Sequence, residues 1–165
     1  MAFPASANYI QSGTTDFVDV LCDYNNLSRG ASVPKNSIDL TQGSYRISGE
    51  FEVGVYTNYK FKPNENGELY FYVSVDWGFE DNVMSLQKAI GVEVYREDWI
   101  FDNVVHEDTV YAEKYPESVA DGYYDEIDCS GLVTGLDPDK YYYIRIWKTG
   151  YGFPATLTGA ISLPN

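Results

Sequence analysis

The chain of 165 residues is long enough for one domain, and at this size folding removes roughly 70% of the unfolded surface from water, so no metal or disulfide staple is required. A formal net charge of −14 disfavours phosphate backbones and anionic lipid, and lysines and arginines such as Lys60, Lys62, Arg96, Lys140, Arg145 and Lys148 form no run. Nucleic acid and membrane insertion are excluded as partners on these grounds, since no stretch approaches the roughly 18–20 continuous apolar residues of a membrane helix either.

Residues 1–35 mix Ser, Thr, Asn, Gly and Pro with short apolar pieces such as Phe17 to Leu21, and read as an N-terminal arm able to add a strand. Met1 to Ala7 lacks the charged and apolar regions of a signal peptide, so an exported form has had its leader removed. Residues 36–165 carry a sharper pattern and form the sandwich domain. From Phe51 to Phe61 one parity holds Phe51, Val53, Val55, Tyr59 and Phe61 and the other holds Glu52, Tyr56, Asn58 and Lys60, a half-buried strand or strand pair. Pro63 to Gly67 makes a turn in which Gly supplies positive φ and which hands over to the next strand as a hairpin. The clearest strand follows, with Leu69, Phe71, Val73, Val75 and Trp77 on one face and Tyr70, Tyr72, Ser74 and Asp76 on the other.

Asn82 to Gln87 has room for one helical turn, after which Ile90, Val92 and Val94 point inward from a strand running to Arg96. Residues 97–128 are acidic and aromatic together and lack a clear period, apart from a candidate strand over Asp108 to Lys114. Gly131 to Lys140 gives a short strand and a tight turn around Pro138. Tyr141 to Thr149 alternates strongly, with Tyr142, Ile144 and Ile146 inward and Tyr141, Tyr143, Arg145 and Trp147 outward, and Ala155 to Leu163 closes the chain. Many short strands, regular turns and little 3.6-residue period predict an all-β fold, a single antiparallel β-sandwich with little helix.

Three pieces carry a resemblance: Ile38 to Gly43, Tyr59 to Pro63 with Gly67 and the strand after it, and Leu136 to Arg145. In this order they resemble the bacterial pre-peptidase C-terminal type of β-sandwich, a jelly-roll-like domain appended to secreted enzymes, over residues 36–163. The acidic segment Glu97 to Asp128 and the N-terminal arm depart from that pattern. The resemblance implies an exported, non-catalytic module, secreted or at the cell surface, in some cases calcium-stabilised or substrate-adhesive.

The outward parity collects Tyr56, Tyr70, Tyr72, Tyr95, Tyr141, Tyr143 and Trp147. If their strands adjoin, the rings form a platform that stacks on sugars or on an extended polypeptide, with hydroxyls and carboxylates supplying hydrogen bonds. The same rings could instead pair across strands to stabilise the sheet, or be covered. A second aromatic group, Trp99, Tyr111, Tyr115, Tyr123, Tyr124, Tyr151 and Phe153, falls in loops and near turns.

Asp121, Asp125, Glu126 and Asp128 offer oxygens to one calcium ion, although the EF-hand register is missing; Glu97, Asp98, Asp102, Glu107 and Asp108 form a second acidic group. Cys22 and Cys129 are either a disulfide closing a long loop, contributing on the order of 4 kcal/mol, or two buried thiols. His106 is the lone histidine and no nucleophile elbow or phosphate loop is present, so catalysis is poorly supported beyond a carboxylate-pair hydrolase. The leading expectation is a binding or accessory module for carbohydrate or extended polypeptide. The competing one is a structural protein whose aromatic face packs on another chain or on itself.

Overall fold

The computed structural model describes residues 17–22, 27–29, 38–41, 43–51, 55–78, 87–97, 102–118, 122–148 and 155–163. Within them run the strands β1 (Phe17–Cys22), β2 (Leu27–Arg29), β3 (Ile38–Leu40), β4 (Gly43–Phe51), β5 (Val55–Phe61), β6 (Leu69–Asp76), β7 (Ala89–Glu97), β8 (Asp102–Tyr111), β9 (Glu126–Val133), β10 (Tyr142–Lys148) and β11 (Ala155–Leu163). The first sheet has the order β1-β4-β11-β6-β9 and the second β2-β5-β10-β7-β8, with β3 beside β5. Neighbours are antiparallel except at two places, β1 with β4 and β3 with β5, so the expected antiparallel sandwich carries two parallel pairs. Of the arm residues, β1 joins the first sheet and β2 the second.

Alternation builds the core. Leu69, Phe71, Val73 and Val75 of β6 and Leu157 and Ile161 of β11 face Ile90, Val92 and Val94 of β7 and Ile144 and Ile146 of β10, all of them buried in one cluster. Tyr59, Phe61 and Tyr142 belong to it too, the aromatic members of the inward parity. Removing these branched and aromatic side chains from water is the main stabilising term, each contributing roughly 1.5–3 kcal/mol.

The acidic segment is more ordered than its sequence suggests. β8 begins at Asp102, ahead of the expected Asp108, and β9 begins at Glu126 inside the stretch read as irregular. Both lie at sheet edges, where one side of the strand meets solvent and polar residues are tolerated, so hydrophobic periodicity is weak there. A bulge between Val94 and Tyr95 of β7 shifts the pairing with β8. The helical turn expected at Asn82 to Gln87 falls almost wholly outside the described residues.

The Cys22–Cys129 bridge is not formed: Cys129 is a free, buried thiol. Topology gives the reason, because β1 and β9 are opposite edges of the same sheet with three strands between them. Four steps of about 4.8 Å put the strands nearly 20 Å apart, whereas bridged cysteines keep their Cα atoms within about 7 Å.

Candidate functional site

The seven rings expected on one platform are divided between two sheets. Tyr70 and Tyr72 lie on the outer face of β6 in the first sheet, while Tyr95 on β7, Tyr143 and Trp147 on β10, and Tyr141 just before β10 belong to the second. Tyr56 is on β5 of the second sheet, and its side chain lies outside what is described.

On the second sheet the parity is as expected but the exposure is not. Tyr95 is 0% and Tyr143 7% exposed, a correction to their outward, ligand-facing assignment. They are register partners, stacked with centroids 5.3 Å apart, and the Arg145 guanidinium sits 4.2 Å from the Tyr95 ring while reaching Glu93 at 3.3 Å. The Tyr95 hydroxyl donates to buried Asn58 at 3.3 Å. Tyrosine and arginine suit such a layer because each brings a flat apolar surface together with polar groups that can be satisfied at its edge. Trp147, half-buried, lies over Gly91 in the same layer, and a Cβ at Gly91 would overlap its indole. These rings pair across strands and pack the sheet.

Of the seven rings, Tyr141 is the open one among those whose side chains are described, 58% exposed. It stands at the end of this layer beside a groove of about 370 Å3 lined by Asp39, Leu40, Thr41, Lys60, Lys62, Pro63 and Tyr141. Pairing explains the assembly. β3 runs parallel to β5 and sets Asp39 beside Lys60, while β10 sets Tyr143 on the other side of Lys60, leaving Tyr141 on the diagonal. The Lys60 ammonium lies 4.6 Å from the Tyr141 ring centroid and pairs with no carboxylate among the described residues. Lys62 approaches Asp139 only at 3.9 Å with both side chains well exposed, a contact of little energetic weight. The far wall is held by the Tyr45 hydroxyl, which donates to the Thr41 carbonyl at 2.9 Å and accepts from the Thr41 N–H at 2.8 Å.

The outer face of the first sheet is polar and flatter. Tyr72 donates to Asp128 at 3.0 Å and Ser74 to Glu126 at 2.9 Å, with Tyr70 and Leu132 in the next register row but one. Burial, then the hydrogen bond and charge of Asp128, push the Tyr72 phenol up to about 12. The Tyr115 and Tyr124 rings lie 4.2 Å apart, tilted by 38°, on a short ribbon closed by the Lys114–Tyr123 bridge, and Tyr124 and Tyr111, the last residue of β8, are exposed.

The described members of the calcium set each have another partner. Asp125 accepts an ion pair from Lys88 at 2.7 Å, Glu126 and Asp128 each accept a hydroxyl bond, and Asp121 lies outside the described residues. Among the described residues no three His, Cys, Asp or Glu groups converge, Glu107 and Asp108 included; the side chains of Glu97, Asp98 and Asp102 lie outside what is described. Asp108 instead accepts from the Cys129 thiol, and burial, together with that carboxylate, pushes the thiol up to about 12.

Both raised groups have the same linkage sign. The unfolded thiol and phenol lose their protons near 9.0 and 10.0, the folded ones only near about 12, so the stability they contribute is complete below pH 9 and is lost as pH rises towards 12. Urea midpoints should therefore begin to fall above pH 9, and the double variant Cys129→Ser, Tyr72→Phe should flatten that decline. An unchanged slope in the double variant would refute the assignment.

The sequence singled out Tyr141 but missed the rest of the groove, because Lys60 and Lys62 read as scattered cations. Their only signal was outward parity next to the Asp-Leu of β3. No protein-family model matches the chain, and no curated protein does. A solved structure similar to it is the pre-peptidase C-terminal domain of a collagenase from Bacillus anthracis, with 13% identity, 79% of this chain and 99% of that chain covered, and a TM-score of 0.39.

Proposed function

We propose that the protein is a non-catalytic binding or accessory module, secreted or at the cell surface, that holds carbohydrate or an extended polypeptide in the Tyr141 groove. The observation that carries this reading is the exposed Tyr141 ring at the mouth of a cleft of about 370 Å3, a size at the small end of ligand clefts, which run to about 300–1,000 Å3. The Tyr141 ring, with Leu40 and Pro63 in the lining, and polar groups from Asp39, Thr41, Lys60 and Lys62 supply stacking and orientation together. The lining holds one carboxylate, whereas glycoside hydrolysis draws on two, so binding is favoured over chemistry.

Intrinsic fluorescence read against a panel of glycans and matrix peptides should respond, and Tyr141→Ala should abolish the response while the Tm stays within a few degrees. A silent panel, or a response that survives Tyr141→Ala, refutes the reading. One observation favours self-assembly as the second: Val104 and Val105, 46% and 44% exposed, lie on the edge strand β8. A light-scattering mass equal to one chain at high concentration would remove it.

A further inference from the structure

We infer that the Tyr141 groove selects a glycan carrying a single carboxylate, an isolated uronic acid on an otherwise neutral chain. This rests on the groove being the binding site. The charge arrangement points to it. In a chain of net charge −14, the groove brings two ammonium groups and only one carboxylate, Asp39, to its lining. Lys60 sits against the Tyr141 ring without an acidic partner among the described residues, so its charge is available to a ligand stacked on that ring. Lys62 is about half exposed, and its contact with Asp139, a carboxylate 93% exposed, is long enough to be exchanged for a ligand oxygen.

A pyranose fits the remaining chemistry. Its apolar face can stack on Tyr141, its hydroxyls can donate to Asp39, and a carboxylate on the same ring can reach the ammonium groups. The lining itself carries one net positive charge, with Asp139 just outside it against Lys62, so it accommodates one anion and not several. A polyuronate would gain little more, because its further charges would face the overall negative field outside the groove.

Calorimetry with three probes tests this: aldotriouronic acid, which has one glucuronate on xylobiose; its methyl ester, which keeps the ring and removes the charge; and trigalacturonate. The acid should bind at least about 10-fold tighter than the ester, as expected for one charge-assisted hydrogen bond, and trigalacturonate no tighter than the acid. Lys60→Met should bring the acid-to-ester ratio close to one while preserving the Tm. The ester comparison needs no variant, so it stands even if Lys60→Met folds poorly. Equal binding of acid and ester through Tyr141, or none of the three probes binding while other glycans or peptides do, overturns the anion selectivity and leaves the binding reading intact. A groove silent to the whole panel overturns both.

Discussion

Asp125→Asn should lower stability by about 3–5 kcal/mol, the cost of leaving a buried charge without its partner. Lys88 is the group at stake, its side chain 0% exposed and its ammonium 2.7 Å from a carboxylate that is itself only 13% exposed. Lys88 lies just before β7 of the second sheet and Asp125 just before β9 of the first, so the pair ties the two layers at one end of the core. Backbone bonds fix both partners: the Trp77 N–H donates to the Asp125 carbonyl at 3.0 Å and the Ala112 N–H to the Lys88 carbonyl at 2.8 Å. The Trp77 ring, 6.0 Å from the ammonium, supplies a weaker attraction that cannot replace a full negative charge.

In a chain of this size the loss amounts to a fall in Tm on the order of 10 °C. Lys88→Met should cost less, since the carboxylate it strands retains some access to water. The double variant Lys88→Met, Asp125→Asn should regain most of the loss, because removing both charges removes the desolvation penalty with them. Denaturant midpoints for the three variants decide the matter. A single Asp125→Asn variant within about 1 kcal/mol of the parent would mean the ammonium is solvated in solution. Added calcium should leave the wild-type midpoint unchanged if Asp125 serves only Lys88, and a rise would reopen the acidic stretch as an ion site.

How far the sequence carries depends on what each strand touches. β6, β7 and β10 were legible because each carries a run of inward apolar residues, Leu69 to Val75, Ile90 to Val94 and Tyr142 to Ile146, alternating with mostly polar or aromatic outward ones. β8 and β9 were largely hidden. The inward side of β8 includes His106 and Asp108, the latter bonded to the Cys129 thiol across the gap between the sheets, and such a side carries no hydrophobic period. Parity was read correctly for Tyr95 and Tyr143, yet parity is a statement about direction only. Their burial depends on what lies over a sheet face, which alternation along one strand cannot express.

The groove was less legible for a related reason. Lys60 and Tyr141 are 81 residues apart, and their meeting depends on β5 pairing with β10, while Asp39 joins them through the parallel pairing of β3 with β5. No local pattern encodes either register. The cysteines show the converse error, in which two residues suited to pairing are kept apart by sheet order.

The turn at Pro63 to Gly67 is where the sequence places it, but it crosses from β5 in one sheet to β6 in the other and so is not the expected hairpin; it bears directly on the groove. Gly67→Ala should cost about 2–5 kcal/mol, because it combines left-handed backbone strain with overpacking. Gly67 has φ of 69°, and a Cβ there would overlap the Leu136 carbonyl oxygen. The neighbouring backbone has little freedom to give way: the Leu136 N–H donates to the Gly67 carbonyl at 3.1 Å, the Gly67 N–H donates to the Asn64 carbonyl at 2.9 Å, and the Leu136 side chain is buried in the core. Gly135→Ala is the matched comparison, with φ of 75° but open space where its Cβ would go, so it should show the strain alone, about 1–2 kcal/mol. The difference between the two midpoints measures the close approach, and equal losses would refute it. Because the Gly67–Leu136 junction joins the turn that follows Lys62 and Pro63 to the loop that leads into Tyr141, prising it apart moves opposite walls of the groove. Gly67→Ala should therefore weaken the panel response at temperatures where the variant is still folded, and Gly135→Ala should not.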